Sequence, residues 1–252
     1  MISGIALKRT SGTLSINNIE DAHLEARILL SHVLKQSPTD LYSKPEYSLS
    51  PEQEHKLQQL IKRRLQREPS AYLVNHKEFY GLDFYVDYRV LIPRPETELL
   101  VEEVLKFVQS RINNSFNPTK PLVIADIGTG CGNIAISLAL KSNDTKIYAA
   151  DISPSALEVA SLNCHTHNVT DRIILLQGNL LEPLTETVDI IVANLPYIPT
   201  SKLAQLSPEI RNFEPLVALD GGRQGLDHIS QLLRQAKEKI HHSCLILLEI
   251  EA

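Results

Sequence analysis

The sequence predicts an open α/β fold of the Rossmann-like kind, preceded by a small helical domain. Three observations carry that expectation. Residues 122–127, LVIADI, form an apolar, β-branched run of the type that makes a strand buried on both faces. The run ends in Gly128-Thr129-Gly130-Cys131-Gly132, and a helical pattern through Ile134, Ile136, Leu138, Ala139 and Leu140 follows at once. Downstream, short apolar strands alternate with helical stretches, whereas residues 1 to about 75 show helical periodicity only.

The glycine loop narrows the ligand. Its glycines let the backbone turn tightly and approach a ligand without a Cβ in the way. The spacing is G-x-G-x-G, and Asn133 stands where a dinucleotide fold would place its third glycine. No Lys-Ser/Thr follows, so a Walker loop is excluded. Asp126 beside the loop would repel a pyrophosphate but could accept a hydrogen bond from an ammonium group. That pairing suits S-adenosylmethionine, whose amino acid end is zwitterionic. The competing reading is a tight turn with no ligand.

A chain of 252 residues holds one large domain or two modest ones, and 43% hydrophobic with 22% charged residues is ordinary for a soluble protein. No apolar run reaches the roughly 18 residues of a membrane span, and MISGIALKRTSG is too weakly apolar for a signal peptide. Cys131, Cys164 and Cys244 are odd in number and widely spaced, which suggests neither disulfides nor a metal site and points to a reducing cytoplasm. Residues 1–80 carry 11 Lys and Arg against 9 Asp and Glu, and the remainder carries 14 against 21. An acidic second half argues against a long nucleic-acid footprint, which needs a basic stripe.

In the first domain, residues 19 to 35 read as a helix whose stripe is Ala22, Ala26, Leu29, Leu30 and Val33. A second helix starts at Ser50 as N-cap, with Pro51 at its first position and Gln53 closing a capping box. Its stripe is Leu57, Leu60, Ile61 and Leu65. Lys62, Arg63, Arg64 and Arg67 cluster at its C-terminal end and read as a solvated helix end, with partner binding as the alternative.

Residues 78 to 92, EFYGLDFYVDYRVLI, alternate and predict a β-hairpin. Pro93-Arg94-Pro95 then holds the chain extended, so that Arg94 is aimed at a cleft, with an exposed linker arginine as the other reading. Thr97 is expected to cap the helix through Leu99, Leu100, Val104 and Phe107. Beyond the glycine loop, a strand over 146–150 ends in Asp151. This acid stands 25 residues after Asp126, near the roughly 20-residue offset of a ribose-binding acid. A helix from Ser153-Pro154 runs to about His167, with His165 and His167 as polar helix-end residues. The strand at 173–176 leads to Asn179, suited to hydrogen-bond adenine, and Leu180, suited to pack on its face. The strand VDIIVA (188–193) delivers Asn194-Leu195-Pro196-Tyr197 at its carboxyl end, the edge where open α/β sheets bind ligands. Residues 198 to 225 read as a long substrate lip, 226 to 240 as a helix and 244 to 250 as a strand.

Taken together, EARILLSHVL (25–34), REPSAYL (67–73), EFYG (78–81), LIPRPETE (91–98), the D-x-G-T-G-x-G loop, the tetrapeptide at 194 and EP..AL.GG..GL (214–226) resemble the release factor glutamine methyltransferases, the HemK/PrmC family of protein-(glutamine-N5) methyltransferases. The likeness covers nearly the whole chain. The glycine loop alone is a class-level signal, and LIPRPETE joined to the tetrapeptide is far more specific. Three places differ from the family's usual pattern. Leu195 replaces the first proline of Asn-Pro-Pro-Tyr, Gln224 stands where an acid is general, and the family's E-I-G near the last strands reads Glu249-Ile250-Glu251.

The resemblance implies a class I S-adenosylmethionine-dependent methyltransferase fold, with residues 1–75 recognising substrate, 76–118 as hairpin and linker helix, and 119–252 as the methyltransferase domain. An antiparallel edge hairpin is expected next, so the C-terminal end reads as truncated. The acceptor implied is the glutamine of the GGQ motif in peptide chain release factors. A carboxamide nitrogen is a poor nucleophile, so positioning must supply most of the rate. The family's chemistry has the Asn194 side-chain oxygen and the backbone carbonyl of residue 195 each accept one N–H of that amide, with Pro196 and Tyr197 completing the catalytic set and Tyr197 against the flat amide. Arg94 joins these in binding substrate. The implied cofactor set is Asp126, Gly128, Thr129, Gly130, Cys131, Gly132, Asp151, Asn179, Leu180 and Asn194. No metal, membrane or stable nucleic-acid partner is expected, and the protein is expected to be a monomer. Two alternatives stand beside this: an adenine-N6 DNA methyltransferase, which would flip its base, and a non-catalytic binder of release factor.

Overall fold

A computed structural model of the chain describes residues 1–43, 45–114 and 121–250. The expected domain boundary at 118/119 lies outside the described residues. Two compact units are present, Met1–Asn75 with Pro208–Phe213, and His76–Ser207 with Glu214–Ala252.

The helical unit contains α1 (Ser3–Ile16), α2 (Ala22–Leu34), α3 (Pro38–Ser43), α4 (Pro51–Leu65) and α5 (Ser70–Val74). Helix α1 is absent from the sequence expectation. It buries Ser3, Ala6, Thr10 and Leu14, spaced as one helical face but mostly small or hydroxylated, so its hydropathy signal is weak. Helix α2 is shorter at both ends than the 19–35 expected; Leu29, Leu30 and Val33 pack with Leu57, Leu60 and Leu73 in the unit's core. Helix α4 starts with the capping box that the sequence predicts: Ser50 N–H donates to Gln53 Oε1 at 2.9 Å, and Gln53 N–H donates to Ser50 Oγ at 3.2 Å.

The basic cluster corrects one expectation. Lys62 and Arg63 are exposed, but Arg64 is buried, donating from Nε to Glu25 at 3.1 Å and from a terminal nitrogen to Glu209 at 3.2 Å. Arg67 donates to the carbonyls of Asn17 and Asn18 and to Glu209. Glu209 belongs to α9 (Pro208–Phe213), a helix inside the loop read as a lip, and the long separation from Arg64 hides the pair from sequence. A guanidinium with carboxylates on two sides can be buried where a lone one cannot.

The second unit opens on a hairpin of β1 (Lys77–Phe79) and β2 (Leu82–Phe84). Tyr80 and Gly81 both take positive φ, 54° and 71°, as a type I′ turn requires. The hairpin ends sooner than the 78–92 expected, because side chains replace the ladder. Asn163 accepts from Tyr85 N–H at 2.8 Å and donates to Tyr85 O at 3.0 Å, while Asp87 accepts from the backbone and guanidinium of Arg89. His167 follows its helix, with Nε2 2.8 Å from Asp83 O and its ring against Phe84.

After α6 (Glu98–Asn114) comes a five-stranded, all-parallel sheet in the order β5-β4-β3-β6-β7. The strands are β3 (Leu122–Ile127), β4 (Thr145–Asp151), β5 (Ile173–Gln177), β6 (Val188–Ala193) and β7 (Ile240–Leu248). Helices α7 (Asn133–Lys141), α8 (Pro154–Thr166) and α10 (Asp227–Lys239) connect them. Strand order reverses between β3 and β6, which pair from Ile124↔Ile190 to Ile127↔Ala193. Both loops leaving this switch point therefore start side by side. Strand β7 begins earlier than the 244 expected, with a register shift opposite Val188 and Ile190. The lip is closed at its base: Ile198 N–H donates to Leu219 O at 3.2 Å and Gly221 N–H to Ile198 O at 2.8 Å.

Candidate active site

A cleft lies over the carboxyl ends of β3, β4 and β6, and its walls enclose about 1040 Å³, open mouth included. The glycine loop forms its floor. Gly128, Gly130 and Gly132 all have positive φ, and a Cβ on Gly128 would sit 3.1 Å from Leu195 Cδ2. The glycine is needed there because the next strand's loop packs on it. Gly128 and Thr129 N–H groups donate to Ala150 O at 2.8 and 3.1 Å.

Two carboxylates brace this loop. Asp126 lies beneath it, fully buried, with Oδ2 accepting from Thr129 Oγ1 at 2.7 Å and from Ala135 N–H at 3.2 Å. It thereby caps α7 from the strand below, where the helix lacks a cap of its own. Its Oδ1 has no partner, and burial pushes its carboxyl up to about 7. Asp151 stands in the cleft wall, with Oδ2 accepting from Gly130 N–H and Oδ1 from Ser153 N–H, both at 2.9 Å; burial raises its pKa.

Of the residues expected from sequence, Gly128, Thr129, Gly130, Cys131, Asp151, Asn179, Leu180, Asn194, Leu195, Pro196 and Arg94 line the cleft. Asp126, Gly132 and Tyr197 do not. Asp126 supports the loop from below, Gly132 turns the chain into α7, and Tyr197 is half-buried against the sheet core. Cys131 is buried, its thiol pushed up to about 12 by burial, which leaves it inert. Leu180 holds φ of 57° while staying nearly buried, and Asn179 Nδ2 donates to Glu182 at 3.0 Å. Arg94 is not a free linker cation: it donates to buried Glu214 at 2.5 Å, and Glu214 also accepts from Ile92 N–H.

Thr97 requires a correction, because it caps nothing. It is buried in the cleft wall, its hydroxyl donating to Glu249 Oε2 at 2.7 Å and accepting from Asn194 Nδ2 at 3.0 Å. Glu249 follows β7, where its N–H donates to Ala193 O at 3.1 Å. The resemblance marks Glu249 within Glu249-Ile250-Glu251 and Glu214 within EP..AL.GG..GL but gives neither a partner, and Asn163, which bridges to Tyr85 and Cys131, carries no sequence signal. The glycine in EP..AL.GG..GL gains a reason too, since a Cβ on Gly225 (φ 77°) would overlap the Tyr197 carbonyl oxygen.

The cleft suits a cationic ligand. Asp151 in the wall favours positive charge, and the arginines in the wall are already paired, Arg89 with Asp87 and Arg94 with Glu214. A sulfonium with an ammonium group fits such a site; a pyrophosphate does not. Glycine loop, acid at the end of β4 and switch-point cleft together define a class I S-adenosylmethionine-dependent methyltransferase.

Residues 6–74 match the family model of the PrmC N-terminal domain, and residues 105–221 match that of ribosomal protein L11 methyltransferase (PrmA). The chain is 37% identical over 242 residues to a release factor glutamine methyltransferase of Geobacter sulfurreducens, covering 96% of this chain and 81% of that one. It is 40% identical over 246 residues to the Moorella thermoacetica protein of that name, covering 97% and 84%, and 37% identical over 248 residues to the Bacillus anthracis one, covering 97% and 84%. The chain belongs to the release factor glutamine methyltransferase family, and its cofactor is S-adenosylmethionine.

Asp126 makes ligand-free stability depend on pH. Its folded pKa lies above the roughly 3.9 of an unfolded aspartate, so its favourable contribution is complete below about pH 4 and is lost as pH rises through about 7. Urea titrations at pH 5, 6.5 and 8 should show wild type losing ground to Asp126→Asn as pH rises, by up to about 1.4 kcal/mol per pH unit. A pH-independent difference would mean that Asp126 stays ionised throughout.

Proposed function

We propose that this enzyme transfers the methyl group of S-adenosylmethionine to the side-chain amide nitrogen of the glutamine in the GGQ motif of peptide chain release factors. One observation carries the reading: Asn194 stands at the end of β6, beside the glycine loop, with its Nδ2 already engaged by Thr97. Its Oδ1 is then the atom available to accept an N–H from a substrate amide. The bound cofactor supplies an electrophilic methyl carbon on sulfur. The chain's own residues supply position: Oδ1 of Asn194 and the backbone carbonyl of Leu195 hold the two amide N–H groups, which favours a pyramidal, partly positive nitrogen. Asp151 takes the ribose hydroxyls, Asn179 and Leu180 hold adenine, and the names of the relatives support release factor as substrate.

The acidic second half and the absence of a target-recognition insert weigh against DNA adenine methylation. We place the enzyme in the cytoplasm as a monomer acting at translation termination; sedimentation of the purified protein checks the oligomeric state.

Leu195 is compatible with activity. Leucine keeps the backbone carbonyl, and Pro196 still pushes residue 195 toward extended geometry. The side chain is buried against Gly128. Single-turnover methylation of release factor should show Asn194→Ala slowed about 100-fold or more and Leu195→Pro within a few-fold of wild type. A wild type as slow as Asn194→Ala, with Leu195→Pro restoring activity, would identify a non-catalytic binder instead.

Asp151→Ala should weaken S-adenosylhomocysteine binding by about 1.5–3 kcal/mol, the scale of hydrogen bonds to a charged group. Unchanged affinity by calorimetry would remove the ribose role.

The helical unit is proposed to recognise the protein substrate. Because Pro208–Phe213 packs within it, cutting at residue 75 would not remove it cleanly. A short GGQ-bearing peptide tests the idea better: its KM should be at least about tenfold above that of intact release factor, the equivalent of one lost hydrogen bond. Equal KM values would take the helical unit out of recognition.

A further inference from the structure

Asn194 can serve as an acceptor only if its amide is turned the right way, and the two ends of a carboxamide are nearly alike in shape. Hydrogen-bond polarity decides between them. A hydroxyl has one proton to give. Glu249, as a carboxylate, can only accept, so the Thr97 hydroxyl at 2.7 Å must spend its proton there. The Thr97 oxygen is then left as an acceptor, and the group 3.0 Å away on Asn194 must be the NH2. Nδ2 is thereby held toward Thr97 and Oδ1 is turned the other way. Thr97 is 2% exposed, so water does not readily substitute for either partner. Glu249 is held in turn by its backbone N–H on Ala193 O, one residue before Asn194.

We propose that Glu249 and Thr97 form a polarity relay that sets the orientation of the Asn194 amide, making both of them positioning residues for methyl transfer. The inference rests on the reading of Asn194 as the acceptor for the substrate amide. Without Glu249, the Thr97 hydroxyl is free to donate to Asn194 Oδ1, which would present NH2 to a substrate that also presents NH2. Two donors face to face cannot bond, so the flipped enzyme binds cofactor but does not hold the glutamine nitrogen. No covalent step is added; the relay acts by preorganisation.

The test is single-turnover methylation of intact release factor, with S-adenosylhomocysteine affinity and thermal melting as controls. Thr97→Val and Glu249→Met should each lower kcat about tenfold or more, the fold-change of one ordinary hydrogen bond, with KM for S-adenosylmethionine within about twofold. Thr97→Ser, which keeps the hydroxyl, should recover most of the loss. The double variant Thr97→Val/Glu249→Met should be no slower than the slower single variant, because both act through one amide. Multiplying losses, or a fully active Thr97→Val beside an inactive Asn194→Ala, would overturn the relay while leaving the glutamine reading intact. If Thr97→Val fails to fold, Glu249→Met alone decides by the same split between kcat and KM. A fully active Asn194→Ala would overturn both.

Discussion

The parallel pairing of β3 with β6 is the constraint on which the cleft depends. Its last pair, Ile127 and Ala193, releases two loops at the same height, one carrying the glycines and the other Asn194. Because parallel strands must be joined by crossovers, no hairpin closes over that edge, and the space between the loops stays open. Leu195 packs on Gly128 and locks the loops together, so the cleft's glycine floor and the loop of Asn194 share one packed contact. A larger residue at 128 would force them apart.

Around that contact, two carboxylates, one buried and one half-buried, brace the backbone in a way that resembles ligand binding when only the sequence is read. Asp126 accepts from Thr129 and from the start of α7, and Asp151 accepts from Gly130 and Ser153. Backbone N–H groups at a glycine turn have no ladder to join, and a carboxylate nearby satisfies them. Glu214 repeats the pattern at Arg94 and Ile92.

The segment after Tyr197 ties the two units by chain connection. It leaves the sheet, forms α9 with Glu209 against Arg64 and Arg67, and returns at Glu214 beside Arg94. Short helical turns at Thr200–Gln205 and Leu216–Ala218 give it structure where composition suggested an irregular lip.

Local pattern alone determined much of this protein. Strand β6, the capping box at Ser50, the glycine loop, Asp151 and the tetrapeptide were legible because each is encoded within a few neighbouring residues by period, turn chemistry or cap. Helix α1 was not, since its buried face is Ser3, Ala6, Thr10 and Leu14 and carries little hydropathy. Only the tertiary structure decided that Asp126 lies under the loop, that Arg64 is buried between Glu25 and Glu209, and that Thr97 joins Asn194 to Glu249. Those partners lie far apart in the chain, and the polarity of a hydrogen bond depends on which atoms the fold brings within 3 Å, a distance no residue pattern records.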